Sequence, residues 1–200
     1  MRTGVYGGTF NPIHLGHVKL AEEYREELGL DRLLVIPDCH PPHKRAFDLA
    51  SGPQRLEMCR LAFAGDPTVQ VDDLELRRGA KSYTVDTLEQ LREQYPRDTF
   101  YLIMGGDMFL TITQWHNFQR IFQLAILCAG ARELEEWERL CRHRDFLQER
   151  YGVRSRLLHF SPLPISSTDI RARIRRGDPI DGLVPPGVAQ YIRENQLYQG

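Results

Sequence analysis

Two hundred residues with 42% hydrophobic and 26% charged side chains suffice for one domain with a sizeable core. A formal net charge of −1 argues against any global attraction to nucleic acid or to an anionic membrane. No apolar run approaches the roughly 20 residues of a membrane span, and the chain enters a strand too early for a signal peptide.

Chain order then alternates short apolar runs with amphipathic stretches. Gly4-Val5-Tyr6 reads as a buried strand, Gly7–His17 as a glycine turn opening a helix, and that helix runs through Leu20 and Tyr24 to Leu28. Arg32–Ile36 is a strand ended by Pro37. Gly52–Ala64 is a helix with Pro53 near its first turn. Val69–Val71 is a short strand, Thr84–Tyr95 a helix, Phe100–Met104 a strand, and Phe118–Phe122 a short helix. Leu124–Ala129 is another buried strand. Glu133–Tyr151 is a charged helix with Leu134, Trp137, Leu140 and Leu147 as its expected buried edge. Leu157–Phe160 is the last strand, and helices near Ser167–Arg176 and Gly187–Glu194 close the chain.

This alternation predicts an α/β fold: a Rossmann-like, doubly wound, mostly parallel sheet with helices on both faces and a small C-terminal helical part. No repeat, linker or low-complexity segment interrupts it. One domain over residues 1–200 is therefore expected, with the helices of about 167–198 integral to it. Cys39, Cys59, Cys128 and Cys141 lack paired spacing and read as reduced thiols of a cytoplasmic protein.

Each polar cluster follows a strand, where open sheets bind ligands. Gly7 and Gly8 let the backbone turn and approach a ligand closely. The helix start behind them offers unpaired N–H groups and positive partial charge, which suit phosphate. His14 and His17, three apart, add two imidazole donors on one face of its first turn. A structural turn with incidental histidines is the plainer alternative. The whole string resembles the phosphate-binding signature of the His-x-Gly-His nucleotidyltransferase superfamily, with Leu15 as x.

Four further clusters follow. Asp38–Lys44 admits a metal site from Cys39, His40 and His43, a plain loop, or a basic lid bringing His43 and Lys44 to a triphosphate. The absence of a second cluster with ligand spacing counts against the metal site, and the lid is favoured over a plain loop. Lys81–Leu88 is a capping region whose Thr84 and Thr87 could also meet a second substrate. Gly105-Gly106-Asp107 and Trp115-His116 suit either a buried tryptophan or an indole set against a planar ring, with backbone N–H groups receiving an anion. Ile165-Ser166-Ser167-Thr168-Asp169-Ile170-Arg171 makes a second phosphate-ready helix start, with a forked cation one turn on.

With these clusters in order, residues 2 to 198 resemble the bacterial nicotinate-nucleotide adenylyltransferases. The resemblance implies an enzyme that joins ATP to nicotinate mononucleotide, giving deamido-NAD and pyrophosphate in NAD biosynthesis. It implies Gly7, Gly8, Thr9 and Phe10 at the nucleotide, His14 and His17 on the ATP phosphates, and His43 and Lys44 in the lid. Lys44, Ser166, Ser167, Thr168 and Arg171 would hold the β- and γ-phosphates, next to Ile165. Thr84 and Thr87 would flank the mononucleotide, Trp115 would stack on its pyridine, and Asp107 would shape that pocket. Backbone amides near Trp115 and His116 would receive the carboxylate. Mg2+ is implied as a cofactor carried mainly by the substrate phosphates, with no side-chain ligands. ATP and the mononucleotide are the expected partners, without nucleic acid or membrane, and the oligomeric state stays open. The rivals are the same transfer to nicotinamide mononucleotide or another small acceptor, and a nucleotide-sensing module without turnover.

Overall fold

Unbroken runs of Val, Ile, Leu and aromatic residues suit strands covered on both faces of a parallel sheet. In the computed structural model, which describes residues 1–39, 49–79, 81–131, 134–159 and 163–199, such runs supply most of the sheet. Its strands are β1 (Arg2–Gly8), β2 (Arg32–Pro37), β3 (Val69–Val71), β4 (Thr99–Gly105), β5 (Ala125–Ala131) and β6 (Ser155–His159), in the order β3-β2-β1-β4-β5-β6. The pairings β1·β4, β4·β5 and β5·β6 are parallel, with Val5 opposite Leu102 and Leu102 opposite Leu127. Every residue of β5 is buried. This is the doubly wound α/β fold expected from the strand–helix alternation, and sheets of this kind bind ligands beyond the carboxyl ends of their strands.

The helices are α1 (Leu15–Leu28), α2 (Gly52–Ala62), α3 (Leu74–Arg78), α4 (Thr84–Gln94), α5 (Gly106–Leu110), α6 (Phe118–Leu124), α7 (Leu134–Tyr151), α8 (Ser167–Arg176) and α9 (Pro186–Glu194). Their ends follow local chemistry. Ser51 and Gln54 form a reciprocal capping box at α2, Ser166 caps α8 by accepting from the Asp169 N–H, and Gly177 ends α8 at φ 73°. Helices α3 and α5 were not expected; five residues each, they are too short to show a period.

The buried edge expected of α7 needs correction. Leu140 and Leu147 are buried, Trp137 is half-buried with its indole edge-on to His159, and Leu134 is exposed. Six residues at 3.6 per turn place Leu134 about 240° from Leu140, off the stripe that Leu140 and Leu147 share.

The chain forms two compact units. One comprises Met1–Gly7, Glu23–Leu34 and Tyr83–Pro162. Its core includes Val5, Leu33, Leu88, Leu91, Phe100, Ile103 and Leu127. Gly4 sits so tightly there that a Cβ would lie 2.7 Å from the Cδ1 atoms of both Leu30 and Leu33. The other comprises Gly8–Glu22, Val35–Ser82 and Leu163–Gly200, where α2 packs on α9 around Met58, Cys59, Val188 and Ile192.

Asp98 ties the amino-end edge of the first unit. Its carboxylate accepts from the Thr3 hydroxyl at 2.6 Å, from Arg32 at 2.7 Å and from the Met1 amine at 3.2 Å. Burial raises its pKa, but Thr3, the Met1 amine and Arg32 together outweigh it and the net shift is downward. A depressed carboxylate contributes stability that is complete above its unfolded value of about 3.9 and fades as pH falls through the folded value. Asp98→Asn is therefore expected to melt lower at neutral pH by about 1.5–3 kcal/mol. The gap should begin to narrow below about pH 4 and close only once pH has fallen through the depressed folded value, where both proteins carry a neutral side chain. A gap that persists there would assign the effect to packing.

Candidate functional site

In the second unit, the turn after β1 is built carbonyl by carbonyl. The Gly8 carbonyl accepts from the Asp38 N–H at 3.0 Å, and the Thr9 carbonyl from Arg55 Nη1 at 2.8 Å. The Asn11 carbonyl accepts from Arg171 Nη1 at 2.8 Å, and the Pro12 carbonyl from the Ser167 hydroxyl at 2.9 Å. These four carbonyl dipoles are thus held by the protein, which keeps them from turning toward an anion. Asn11 Oδ1 accepts from the Ala50 N–H at 3.0 Å and from the Tyr198 hydroxyl at 2.8 Å. Burial raises the Tyr198 pKa, although Arg171 and Arg55 pull it down, so the phenol stays a donor. Phe10 takes φ 47°, rare for a bulky residue, and is buried with its ring edge-on to His17. A Cβ on Gly8 would lie 2.9 Å from that ring.

The two histidines form a capping box made of imidazoles. The His14 N–H donates to His17 Nδ1 at 3.3 Å, and the His17 N–H, which donates to the His14 carbonyl at 2.9 Å, also reaches His14 Nδ1 at 3.3 Å. Their rings stack with centroids 3.7 Å apart. Because each Nδ1 accepts, each neutral ring carries its proton on Nε2. The fold therefore fixes both tautomers and makes both Nε2–H groups donors. Gly16 permits this arrangement, since a Cβ there would lie 3.0 Å from His14 Nδ1 and 3.1 Å from Cε1. Gly16→Ala gains helix propensity of about 1 kcal/mol while pressing on the imidazole. Turnover should fall without a matching fall in melting temperature, and assays and melts run side by side check this.

The start of α8 lies on the same turn through Ser167 and Arg171. The Ser166 hydroxyl accepts from the Asp169 N–H at 3.1 Å and donates to Asp169 Oδ2 at 2.7 Å, so it is engaged in capping. Thr168 is exposed and accepts from Arg171 Nη2 at 3.5 Å. The Ile165 carbonyl faces Gly16, 3.9 Å from where a Cβ would stand. Gly7 is exposed, while Gly8 and Thr9 are half-buried, with the Thr9 hydroxyl donating to Asp38 Oδ2 at 2.8 Å. His40, His43 and Lys44 lie outside the described residues.

In the first unit a second cluster forms. Tyr83 precedes α4, and its ring lies 4.5 Å from that of His116. Thr84 is half-buried, and buried Thr87 donates its hydroxyl to the Tyr83 carbonyl at 3.4 Å. Trp115 is half-buried, which sets aside the core-tryptophan reading. Its N–H is spent on the Ile112 carbonyl at 3.1 Å, whereas the N–H groups of His116 and Asn117 donate to no partner among the described residues. Asp107 is exposed, its Oδ1 folded to within 2.7 Å of where a Cβ on Gly105 would be. A Cβ on Gly106 would lie 3.3 Å from the Gly130 carbonyl oxygen, a backbone atom that leaves little room for a side chain there. Arg55 and Tyr198 are not marked by the sequence, and Asn11, Asp38 and Tyr83 fall inside its clusters without a role of their own. A charge on an amphipathic helix ordinarily faces solvent, so nothing marks Arg55.

A family model described as cytidylyltransferase-like matches residues 5–173. A protein of Geobacter metallireducens is 42% identical over 99% of this chain and 98% of its own length. One of Desulfitobacterium hafniense is 39% identical over 99% and 96%. Both carry the name "probable nicotinate-nucleotide adenylyltransferase". The chain belongs to the nicotinate-nucleotide adenylyltransferase family. Among solved structures, the Plasmodium falciparum nicotinic acid mononucleotide adenylyltransferase complexed with NaAD superposes with a TM-score of 0.77. It is 19% identical, covering 98% of this chain and 97% of its own, and so speaks for the fold. A second such match, a Vibrio parahaemolyticus protein at 21% identity, has a TM-score of 0.67 over 100% of this chain and 96% of its own.

Proposed function

We propose that this chain transfers the adenylyl group of ATP to nicotinate mononucleotide, giving deamido-NAD and pyrophosphate. The observation that carries the reading is the reciprocal His14–His17 pair, two fixed Nε2–H donors on a turn whose carbonyls are held by the protein. Such donors suit charge developing on phosphoryl oxygens in a transfer reaction. A phosphate oxygen of the mononucleotide bonds to the α-phosphorus as the bond from that phosphorus toward the β-phosphate breaks. The electron pair leaves on pyrophosphate, and no protein nucleophile is needed. The protein aligns two anions that repel each other.

In this reading Gly7, Gly8, Thr9 and Phe10 meet the nucleotide, with His14 and His17 on its phosphates. Lys44 and His43, with Ser166, Ser167, Thr168 and Arg171, serve the β- and γ-phosphates beside Ile165. Thr84 and Thr87 flank the mononucleotide, Trp115 stacks on its ring, and Asp107 shapes the pocket. The N–H groups of His116 and Asn117 receive the carboxylate.

Among the described residues no group of three His, Cys, Asp or Glu side chains is placed to hold a metal. The donors around the His14–His17 turn are nitrogens, which suit phosphate oxygens, whereas Mg2+ demands oxygen ligands. Magnesium would ride on the substrate phosphates and water, neutralising charge on the β- and γ-oxygens. No helix among the described residues is long and apolar enough to cross a membrane. The four cysteines are free, which suits a reducing cytoplasm, and residues 1–200 would act as one nucleotidyltransferase domain. Turnover of ATP with nicotinate mononucleotide and nicotinamide mononucleotide in parallel, read as deamido-NAD or NAD with pyrophosphate, tests the reading. Absence of both products would overturn it.

A further inference from the structure

The side chain of Arg55 is about 1% exposed, and it is the largest of the fully buried side chains. A guanidinium taken out of water is stable only when its donors are met. Arg55 meets them on three separate stretches of chain. Nε donates to the Ala50 carbonyl at 3.1 Å and Nη1 to the Thr9 carbonyl at 2.8 Å. Nη1 also reaches Asp38 Oδ1 at 3.1 Å, and Nη2 donates to the Asp38 carbonyl at 2.7 Å. Asp38 in turn accepts from the Thr9 hydroxyl and donates its N–H to the Gly8 carbonyl. Residues 8 and 9 are therefore held from both backbone and side chain by one charge pair.

We propose that Arg55 is a positioning residue for the ATP phosphates, acting through the Thr9 carbonyl. This rests on the adenylyl-transfer reading above. The Thr9 carbonyl is the acceptor immediately before Phe10, whose φ of 47° puts a bulky residue in the left-handed region of the turn. Freed from Arg55, the Thr9–Phe10 peptide can rotate. Rotation can turn the carbonyl oxygen, the negative end of the peptide dipole, toward the anion and so repel it. Four acceptor atoms on three stretches of chain, met by one rigid guanidinium, explain why arginine, and not lysine, is needed: an ammonium is a point charge that cannot span them.

The test uses the full-length chain with Arg55→Lys, which keeps the charge and loses the fork. Melting temperature, kcat, both KM values and calorimetric ATP affinity are read together. The expected result is a folded protein whose kcat/KM for ATP falls by about 100-fold, while KM for nicotinate mononucleotide is unchanged. Arg55→Ala should regain part of the loss in methylguanidinium, which restores the fork without the tether. A lower melting temperature with unchanged kinetic constants and ATP affinity would overturn the proposal and leave Arg55 a structural residue. If Arg55→Lys does not fold, Asp38→Asn weakens the same clamp and is read in the same way, unchanged ATP affinity again counting against it. Failure of the wild-type chain to turn over would instead overturn the adenylyl-transfer reading, and the calorimetric comparison would still decide Arg55.

Discussion

Replacing His17 with alanine is expected to lower turnover by about 100- to 1,000-fold, the usual loss when one preorganised donor to developing charge is removed. The imidazole does two jobs that can be separated. Its Nδ1 accepts from the His14 N–H and caps α1, while its Nε2–H is the donor assigned to phosphate in the proposed reaction. Alanine loses both, and the cap alone is worth about 0.5–2 kcal/mol of stability. Glutamine is the usual partner at this position of a capping box, and its carbonyl can take the His14 N–H. His17→Gln should therefore recover most of the melting temperature lost in His17→Ala and little of the turnover. Melts and steady-state assays of the two variants check this. If turnover tracked stability in both, the histidine would be a cap and nothing more.

What could be read without coordinates was whatever is punctuated by glycine, proline and apolar runs. The break at Pro37 and the uninterrupted strand runs place β1, β2, β4 and β5 close to their observed ends, whereas the turn expected at Gly7-Gly8 is the end of β1, which runs through Gly8 with neither glycine at positive φ. Leu134 was misread because a charged helix offers several apolar residues, and only packing selects which of them are covered. Helices of five residues leave no period to detect, so α3 and α5 passed unseen.

The candidate site divides in the same way. Glycines and histidines at fixed spacing were visible, because the chemistry needs those residue types locally. The long-range partners were not. Arg55 reaches Thr9 across 46 residues, Arg171 reaches Asn11 across 160, and Tyr198 reaches Asn11 across 187. Nothing local in a sequence records such pairings. Nor does a sequence show which backbone N–H groups remain unspent, which is the property that now separates Trp115 from His116 and Asn117.

That separation leads to the expected behaviour of the acceptor pocket. A nicotinate carboxylate received by two backbone N–H groups makes charge-assisted hydrogen bonds, worth about 1.5–3 kcal/mol each. A carboxamide offers one neutral oxygen and turns an NH2 group toward the second donor, where like dipoles meet. Nicotinate mononucleotide should therefore exceed nicotinamide mononucleotide in kcat/KM by at least about tenfold, the equivalent of 1.4 kcal/mol. Trp115→Ala should act on a different part of the same ring. Because the indole is half-buried, its loss should cost less than the about 3–5 kcal/mol of a core tryptophan. Its main effect should be weaker binding of either mononucleotide, with ATP affinity unchanged. The preference for nicotinate should survive the substitution, since backbone donors are untouched by it. Competition kinetics with both mononucleotides on wild type and Trp115→Ala measure the two effects independently. Equal kcat/KM for the two acceptors in the wild-type protein would remove His116 and Asn117 as the carboxylate receptor and leave adenylyl transfer standing. A preference that vanished with Trp115 would move the discrimination from the backbone to the indole.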